Sequence, residues 1–226
     1  MSASERDHIP EKVMADLQQL DLQRGRPLLA VDADEVLVVF VDHLDRFMRT
    51  IGFEMRLVRY ELEGSMFPIG SDEALPFQEC IQMIDRFFRQ ETLNQTAVPD
   101  GPEVLARLSQ DVQVVVLTNV PSHAGALRRQ NLAALGIPYP VVVNSGGKGR
   151  TMRWLADQVD APVAFIDDSV KQVESVAKHV PEAVRLHFAW ADFIHRIFPE
   201  CAHATRQVRS WTEADEALRH KLGLPA

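Results

Sequence analysis

Cysteine is scarce in this sequence of 226 residues, which contains only Cys80 and Cys201. No C-x-x-C pair occurs, and no histidine spacing would complete a zinc site with these thiols. The sequence therefore argues against structural zinc. Two thiols so far apart in the chain are typical of a protein from a reducing compartment.

The sequence also shows no signal-peptide pattern, no apolar run of membrane-spanning length and no excess of positive charge. Residues 1–8 lack the basic and then apolar pattern of a signal peptide, and no apolar run approaches the length that crosses a bilayer. The formal net charge is −8, from 24 basic and 32 acidic residues, so the overall field repels phosphate backbones and anionic membranes. We therefore expect a soluble cytoplasmic protein that binds neither a nucleic acid polymer nor a membrane. Its oligomeric state stays open.

The sequence does contain enough apolar material for a substantial core, since 46% of its residues are apolar. A chain of this length forms one domain with an insertion or two small domains. Short apolar runs typical of buried strands alternate with helical patterns in its second half. This alternation predicts an α/β fold with a doubly wound parallel sheet. The strand-like runs are 28–31, 112–117, 141–143, 163–166 and 184–187, and the helical patterns are 10–22, 122–135, 149–159 and 170–179.

The interval 38–99 departs from this alternation. Apolar residues recur there at helical spacing in two stretches, and Gly64, Pro68, Gly70 and Pro76 between the stretches interrupt any single long helix. We expect most of the aromatic residues in these stretches to be core packing between helices. The interval therefore predicts an inserted, mostly helical cap over 38–98, with the core formed by 1–37 and 99–226.

Two acids follow the first strand-like run. Asp32 and Asp34 lie where a parallel sheet keeps its chemistry, at the carboxyl end of a strand. Burial of two neighbouring carboxylates is costly unless a cation or strong hydrogen bonds compensate, so the pair points to a metal with oxygen ligands. The alternative is an ordinary turn or helix cap that begins with aspartate.

Polar residues follow three other runs as well. Thr118 comes before free amides at a helix start, where phosphate binds well, although a hydroxyl there also caps helices. Lys148 follows a glycine-rich loop and can offer a point charge to a phosphoryl group, although a solvated lysine is the alternative. Asp167 and Asp168 follow the fourth run. In a doubly wound sheet all of these ends meet at one rim, which predicts a single site.

Together these motifs resemble those of the phosphatase branch of the haloacid dehalogenase (HAD) superfamily. The resemblance covers about residues 27–170 and implies a Rossmann-like, HAD-like core with a mobile cap between the first and second motifs, where the interval 38–98 lies. The four motifs occur in the family's order and are Asp32-x-Asp34, Thr118, Lys148 and Asp167-Asp168.

The resemblance also implies a role for each motif. Asp32 would attack phosphorus to form an aspartyl-phosphate, and Asp34 would protonate the leaving oxygen and later activate water. Thr118 and the Asn119 amide would hold the phosphoryl oxygens, and Lys148 would offset the charge that develops on them.

Mg2+ is the cofactor that the resemblance implies. Its ligands would be the Asp32 side chain, the Asp34 backbone carbonyl and an acid from either Asp167 or Asp168.

The implied activity is that of a HAD-type hydrolase, a Mg2+-dependent phosphatase acting on a small phosphorylated metabolite such as a nucleotide or sugar phosphate. Asp34 argues against a dehalogenase, because halide leaves without a proton. The absence of lysine from 38–99 argues against phosphonate cleavage through a Schiff base. A phosphotransferase or mutase of the same superfamily, and a non-catalytic protein that binds a phosphorylated ligand, stay as alternatives.

A narrower similarity to the 5'(3')-deoxyribonucleotidase group rests on Phe40, at the position of an aromatic that lines the substrate pocket, and on Pro121 after the second motif. A plain core role for Phe40 is the alternative. Glu35 departs from the family, since many relatives have glycine there, and nothing in the sequence explains it. Candidate substrate contacts in the cap are His43, Arg49, Arg56, Arg59 and Tyr60.

Overall fold

The computed structural model describes residues 8–225. Residues 1–7 and 226 lie outside the described residues. They belong to the predicted core, and residues 1–7 make up most of the segment 1–8, which lacks a signal-peptide pattern. In chain order the helices and strands are α1 (Glu11–Leu17), β1 (Leu28–Val31), α2 (Val41–Thr50), β2 (Phe53–Met55), β3 (Met66–Pro68), α3 (Phe77–Glu91), α4 (Gly101–Leu108), β4 (Gln113–Thr118), α5 (Gly125–Ala134), β5 (Val141–Val143), α6 (Gly149–Val159), β6 (Val163–Asp167), α7 (Val170–His179), β7 (Val184–Phe188), α8 (Asp192–His195), β8 (Arg206–Val208) and α9 (Trp211–Leu222).

Six strands form one sheet in the order β5-β4-β1-β6-β7-β8, and every neighbouring pair is parallel. Helices cover both faces, so the predicted α/β class with a Rossmann-like doubly wound sheet is confirmed. The five predicted strands are present to within one residue at each end. The sequence pattern does not reveal β8, α4 or α9. No helix within residues 8–225 is long and apolar enough to cross a membrane.

Alternate residues of the central strand enter two separate cores. Leu29 and Val31 of β1 face a core shared with α4, α9 and the helices of 38–98, whereas Leu28 and Ala30 face a core shared with α1, α6 and α7. All four residues are completely buried. Burial on both faces is the reason that this strand is a continuous apolar run in the sequence.

The interval 38–98 contains α2, the antiparallel β2–β3 hairpin and α3. It is mostly helical, but the helical periodicity does not reveal the hairpin. Its interior is aromatic, because Phe40, Phe47, Phe87 and Phe88 contact one another with ring centroids 5.5–5.8 Å apart. These rings are core packing, as predicted for most of the aromatic residues here. The division of the chain into core and cap stays a prediction.

The topology brings three strand ends together. β1 lies between β4 and β6, and Val31 is level with Val116 on one side and with Ile166 on the other. The chain proceeds from β1 in both directions across the sheet, and ligands of such sheets bind beyond the carboxyl ends of the strands at this switch point. The residues that follow β1, β4 and β6 therefore share one rim.

Candidate active site

The loop after β1 positions the first pair of acids. The Asp32 amide donates to the Ile166 carbonyl at 2.9 Å, so the ladder with β6 continues one residue beyond the strand. The chain then turns tightly, because the Ala33 carbonyl accepts from the amides of Leu37 and Val38 at 2.8 and 2.9 Å. Asp32 is buried except for 8% of its surface. This turn places Asp32 at the rim and turns Asp34 toward α5.

Lys148 lies inside the site rather than in solvent. Its side chain is 1% exposed, and its Nζ lies 2.6 Å from Asp32 Oδ1 and 2.6 Å from Asp167 Oδ2. Burial alone would lower the pKa of Lys148, but the charges on Asp167 and Asp32 outweigh it and raise that pKa. Lys148 therefore stays an ammonium ion. The alternative of a solvated lysine is wrong.

A close contact between helices fixes the position of Lys148. The Lys148 amide donates to Gln172 Oε1 at 2.9 Å. At the next residue, Gly149, a Cβ would lie 2.1 Å from the backbone oxygen of Ser175 on α7. Only glycine allows this approach of α6 to α7, and the approach directs the lysine toward β1 and β6.

Three carboxylates meet beside this lysine. Asp32, Asp167 and Asp168 each offer one oxygen, and these oxygens all lie within 4.8 Å of one another. Burial raises the pKa of Asp167, and the Lys148 charge opposes this rise only in part. Burial and the neighbouring charge of Asp167 raise the pKa of Asp168 well above its usual value. Three crowded acids with all-oxygen donors fit a hard divalent cation such as Mg2+.

Thr118 is the last residue of β4, and its hydroxyl lies at the rim of the sheet. Its side chain is completely buried, and its Oγ1 has no hydrogen-bond partner in the described part of the chain. It does not cap the 3-10 helix that follows at Ser122–Ala124, so the helix-cap alternative is wrong. Buried hydroxyls are almost always paired, and an orphaned one at this rim fits a bound oxyanion.

Asn119 shapes the adjoining loop through its side chain. Its Oδ1 accepts from Asn144 Nδ2 at 2.8 Å, and its Nδ2 donates to the Gly146 carbonyl at 2.9 Å. These contacts join the loops after β4 and β5. Because both ends of the side chain are engaged, only the backbone amide of Asn119 stays a candidate for phosphoryl binding.

Asp34 is held by partners that the sequence does not reveal. Its Oδ1 accepts from Arg128 Nη2 at 2.6 Å and from Gln95 Nε2 at 3.4 Å. Burial raises the pKa of Asp34, while the Arg128 charge lowers it, and the net effect is a rise. Arg128 lies on a helix where a solvent-facing arginine is the ordinary expectation, so no pattern in the sequence marks it.

Glu35 supports the loop instead of extending the acid cluster. It is 2% exposed, and its carboxylate accepts from the amides of Phe40 and Val41 at 3.1 and 2.8 Å and from Trp190 Nε1 at 2.8 Å. It thereby satisfies free amides at the start of α2. Its φ of +61° lies in the left-handed region, which glycine adopts most easily. This conformation agrees with the glycine that many members of the HAD superfamily have at this position. Burial raises the pKa of Glu35 to about 7.

Of the five candidate contacts in 38–98, Tyr60 reaches the acids. Its hydroxyl donates to Asp168 Oδ2 at 2.6 Å. His43 instead hydrogen-bonds Thr96. The three arginines stay away from the acids: Arg49 and Arg56 pair with acids of their own segment, and Arg59 is exposed.

Tyr60 and Asp168 border a cavity of about 100 Å³ whose other walls are mainly apolar. Phe40 contributes to this wall as well as to the aromatic core, which keeps both of its predicted roles open. The other lining residues are Val41, Leu57, Glu61 and Leu62, so no basic side chain lines the cavity.

Solved structures with a similar fold include several hydrolases described as haloacid dehalogenase-like. A HAD family hydrolase from Deinococcus radiodurans R1, with bound phosphate and sodium, has a TM-score of 0.59 and 16% identity over 90% of this chain and 100% of its own. L-2-haloacid dehalogenase from Xanthobacter autotrophicus has a TM-score of 0.55 and 12% identity over 85% and 98%. A putative β-phosphoglucomutase from Thermotoga maritima has a TM-score of 0.55 and 15% identity over 86% and 99%.

These matches establish the fold alone, because the sequence identities are too low to transfer an activity to this chain. No protein-family model matches the chain, and no curated protein sequence matches it. The predicted HAD-like fold is confirmed. The three neighbours named above include a dehalogenase and a putative mutase, so the choice of chemistry depends on the residues of this chain.

Proposed function

We propose that this protein is a HAD-type hydrolase, a Mg2+-dependent phosphatase that hydrolyses a small phosphomonoester through an aspartyl-phosphate. The observation that carries the proposal is the surroundings of Asp32. This carboxylate lies at the rim next to Lys148 and two further acids, with the unpaired Thr118 hydroxyl on the neighbouring strand and a second carboxyl two residues away. We further propose that it acts in the cytoplasm.

The residues divide the reaction into two steps. An Asp32 oxygen forms a bond to phosphorus while the ester P–O bond breaks, and Asp34 gives its proton to the departing alkoxide. A water molecule then attacks the phosphorus of the aspartyl-phosphate and gives a proton to Asp34. Phosphate leaves, and the Asp32 carboxylate is regenerated. Lys148, the Thr118 hydroxyl and the Asn119 amide hold the oxygens on which negative charge develops.

The donor set supports a divalent metal. Asp32, Asp167 and Asp168 would hold Mg2+ with the Asp34 backbone carbonyl, and the three clustered carboxylate oxygens suit its preference for oxygen ligands. Mg2+ supplies a positive charge that offsets repulsion between the Asp32 carboxylate and the anionic substrate.

The cavity beside Asp168 offers room for part of a substrate. It measures about 100 Å³, and its mainly apolar walls carry no basic side chain to pair with a second anionic group. Asp32, Thr118 and Lys148 do not line it, so its volume sets no limit on the whole substrate. The lack of a basic side chain in its walls favours a substrate with a single phosphate group.

A phosphate-release screen tests the proposal. Nucleotides, sugar phosphates and short alkyl phosphates are incubated with Mg2+ and the wild type, Asp32→Asn or Asp42→Asn, which changes an exposed acid at the start of α2. We expect release by the wild type and the Asp42 variant and none by a folded Asp32→Asn. Equal turnover by the Asp32 variant contradicts the proposal.

Two further outcomes separate the alternatives. Phosphate recovered in a second alcohol instead of as free phosphate would identify a phosphotransferase or mutase. Calorimetric binding of a phosphorylated compound with no hydrolysis over hours, with Mg2+ present, would identify a binding protein.

A further inference from the structure

Arg128 on α5 is a buried cation next to the candidate acid. It has no exposed surface, and burial of a guanidinium is costly unless its charge and its N–H groups are paired. Nη2 donates to Asp34 Oδ1 at 2.6 Å and to Gln95 Oε1 at 2.8 Å, and Nη1 donates to Asn131 Oδ1 at 3.1 Å. The partners of Nη1 and Nη2 keep this charge against Asp34, and only the buried Nε lacks a hydrogen-bond partner within residues 8–225.

The same partners link Asp34 to the two segments that connect the interval 38–98 with the sheet, one at Val39 and the other at Gln95 and Thr96. Gln95 Nε2 donates to the Val39 carbonyl at 3.1 Å, and the Gln95 carbonyl accepts from Asn131 Nδ2 at 2.9 Å. The two connections also bond directly, through the Val39 amide and the Thr96 carbonyl at 2.9 Å. The position of Asp34 is thus linked to the segments that join the predicted cap to the sheet.

We infer that Arg128 is a positioning residue for Asp34, an inference that rests on the proposed function. Arg128 holds Oδ1, and no hydrogen bond to Asp34 Oδ2 occurs within residues 8–225. Oδ2 is therefore the oxygen that transfers the proton to the leaving group. Arginine does not release its own proton in proteins, so Arg128 acts through the orientation of Asp34.

A comparison of two leaving groups can distinguish the positioning role of Arg128 from plain structural support. An alkyl phosphate releases an alkoxide, which needs a proton, whereas p-nitrophenyl phosphate releases a stabilised phenolate. A positioned acid contributes about 10²- to 10⁴-fold to a rate. We expect Asp34→Asn to slow release of the alkyl alcohol by a factor in this range and release of nitrophenolate far less. Arg128→Met should reproduce this preference, with a loss on the order of 10-fold greater for the alkyl ester.

The experiment measures alcohol release in single turnovers with Mg2+ present, because this step precedes hydrolysis of the aspartyl-phosphate. Arg129→Met is the matched control, since Arg129 is the next residue on α5 and pairs with Asp16 at the surface. Arg128→Lys keeps the charge and should restore part of the alkyl ester rate. Gln95→Leu removes one acceptor of Arg128 and provides a second variant if Arg128→Met does not fold.

Each outcome decides the inference. A selective loss on the alkyl ester, absent in Arg129→Met, supports it. Parallel losses on both esters, or no loss, overturn it while the proposed function stands, provided that the wild type is active. A wild type that hydrolyses neither ester overturns both.

Discussion

Replacement of Lys148 by methionine tests how the candidate site is held together. Methionine preserves most of the side-chain length but removes the ammonium ion that lies 2.6 Å from both Asp32 and Asp167. Two buried carboxylates then face each other without their cation. We expect a folded but destabilised protein that also loses phosphate release.

The magnitude follows from the burial of this cluster. Lys148 is 1% exposed and Asp167 is completely buried, so solvent screens the pair little. Removal of one partner of a buried ion pair costs about 3–5 kcal/mol. For a chain of this length each kcal/mol corresponds to about 2–4 °C, so the melting temperature should fall by about 6–20 °C.

The penalty should also depend on pH. The folded-state pKa of Asp167 is already raised, and loss of Lys148 raises it further. Such a group contributes stability at pH values below its unfolded pKa and loses that contribution as the pH rises through its folded pKa. The destabilisation of Lys148→Met should therefore be smallest in mild acid and largest above neutral pH.

Thermal unfolding in the presence of a chelator, at several pH values, measures both effects. Lys178→Met replaces an exposed lysine on α7 and should shift stability by no more than about 0.5 kcal/mol. Asp167→Asn in the Lys148→Met background should recover part of the loss, because it removes one of the uncompensated charges. A Lys148→Met protein that melts within about 2 °C of the wild type at every pH would refute the ion-pair argument.

Two further predictions concern the metal and Glu35. Mg2+ at about 100 times its dissociation constant should stabilise the protein by about 2.7 kcal/mol, which raises the melting temperature by about 5–11 °C. Asp168→Asn should reduce this thermal shift, and the control Asp42→Asn should not. An unchanged shift in Asp168→Asn would exclude Asp168 from the metal site. The folded-state pKa of Glu35 is raised to about 7 from 4.5, so its contribution to stability is present in acid and is lost as the pH rises toward 7. The difference in unfolding free energy between the wild type and Glu35→Gln should therefore fall by about 3 kcal/mol between about pH 4.5 and pH 8, as measured by urea denaturation. A difference that stays constant with pH would contradict the assignment of this titration to Glu35.

The sequence predicts the sheet well because its strands are buried on both faces. A run such as 28–31 has few competing interpretations, and the acids after it lie at the rim because the parallel topology requires it. The same reasoning predicts that Asp32 and the pair Asp167-Asp168 come close together. β8 is harder to predict, since two of its three residues are exposed and no continuous apolar run marks it.

The parts of the site that the sequence does not reveal depend on tertiary contacts. Arg128 and Gln95 are distant in the chain from Asp34 and meet it only after α5 packs against the connections of the interval 38–98. Glu35 is similar, because its indole partner Trp190 lies 155 residues away. Local patterns cannot distinguish such buried polar partners from the solvated residues that usually occupy helix faces and loops.

The charged residues of the site form two groups that differ in their balance of positive and negative charge. Asp32, Asp167 and Asp168 face a single cation, Lys148, so full ionisation leaves negative charge in excess. Burial opposes this excess, and the raised pKa values of Asp167 and Asp168 are its consequence. Asp34, by contrast, already has its own buried cation in Arg128. The first group therefore attracts a divalent metal together with an anionic substrate, whereas the second is neutral when Asp34 is ionised and carries the positive charge of Arg128 when Asp34 is protonated. This separation suits Asp34 to proton transfer, because its protonation can change while the metal and its ligands stay in place.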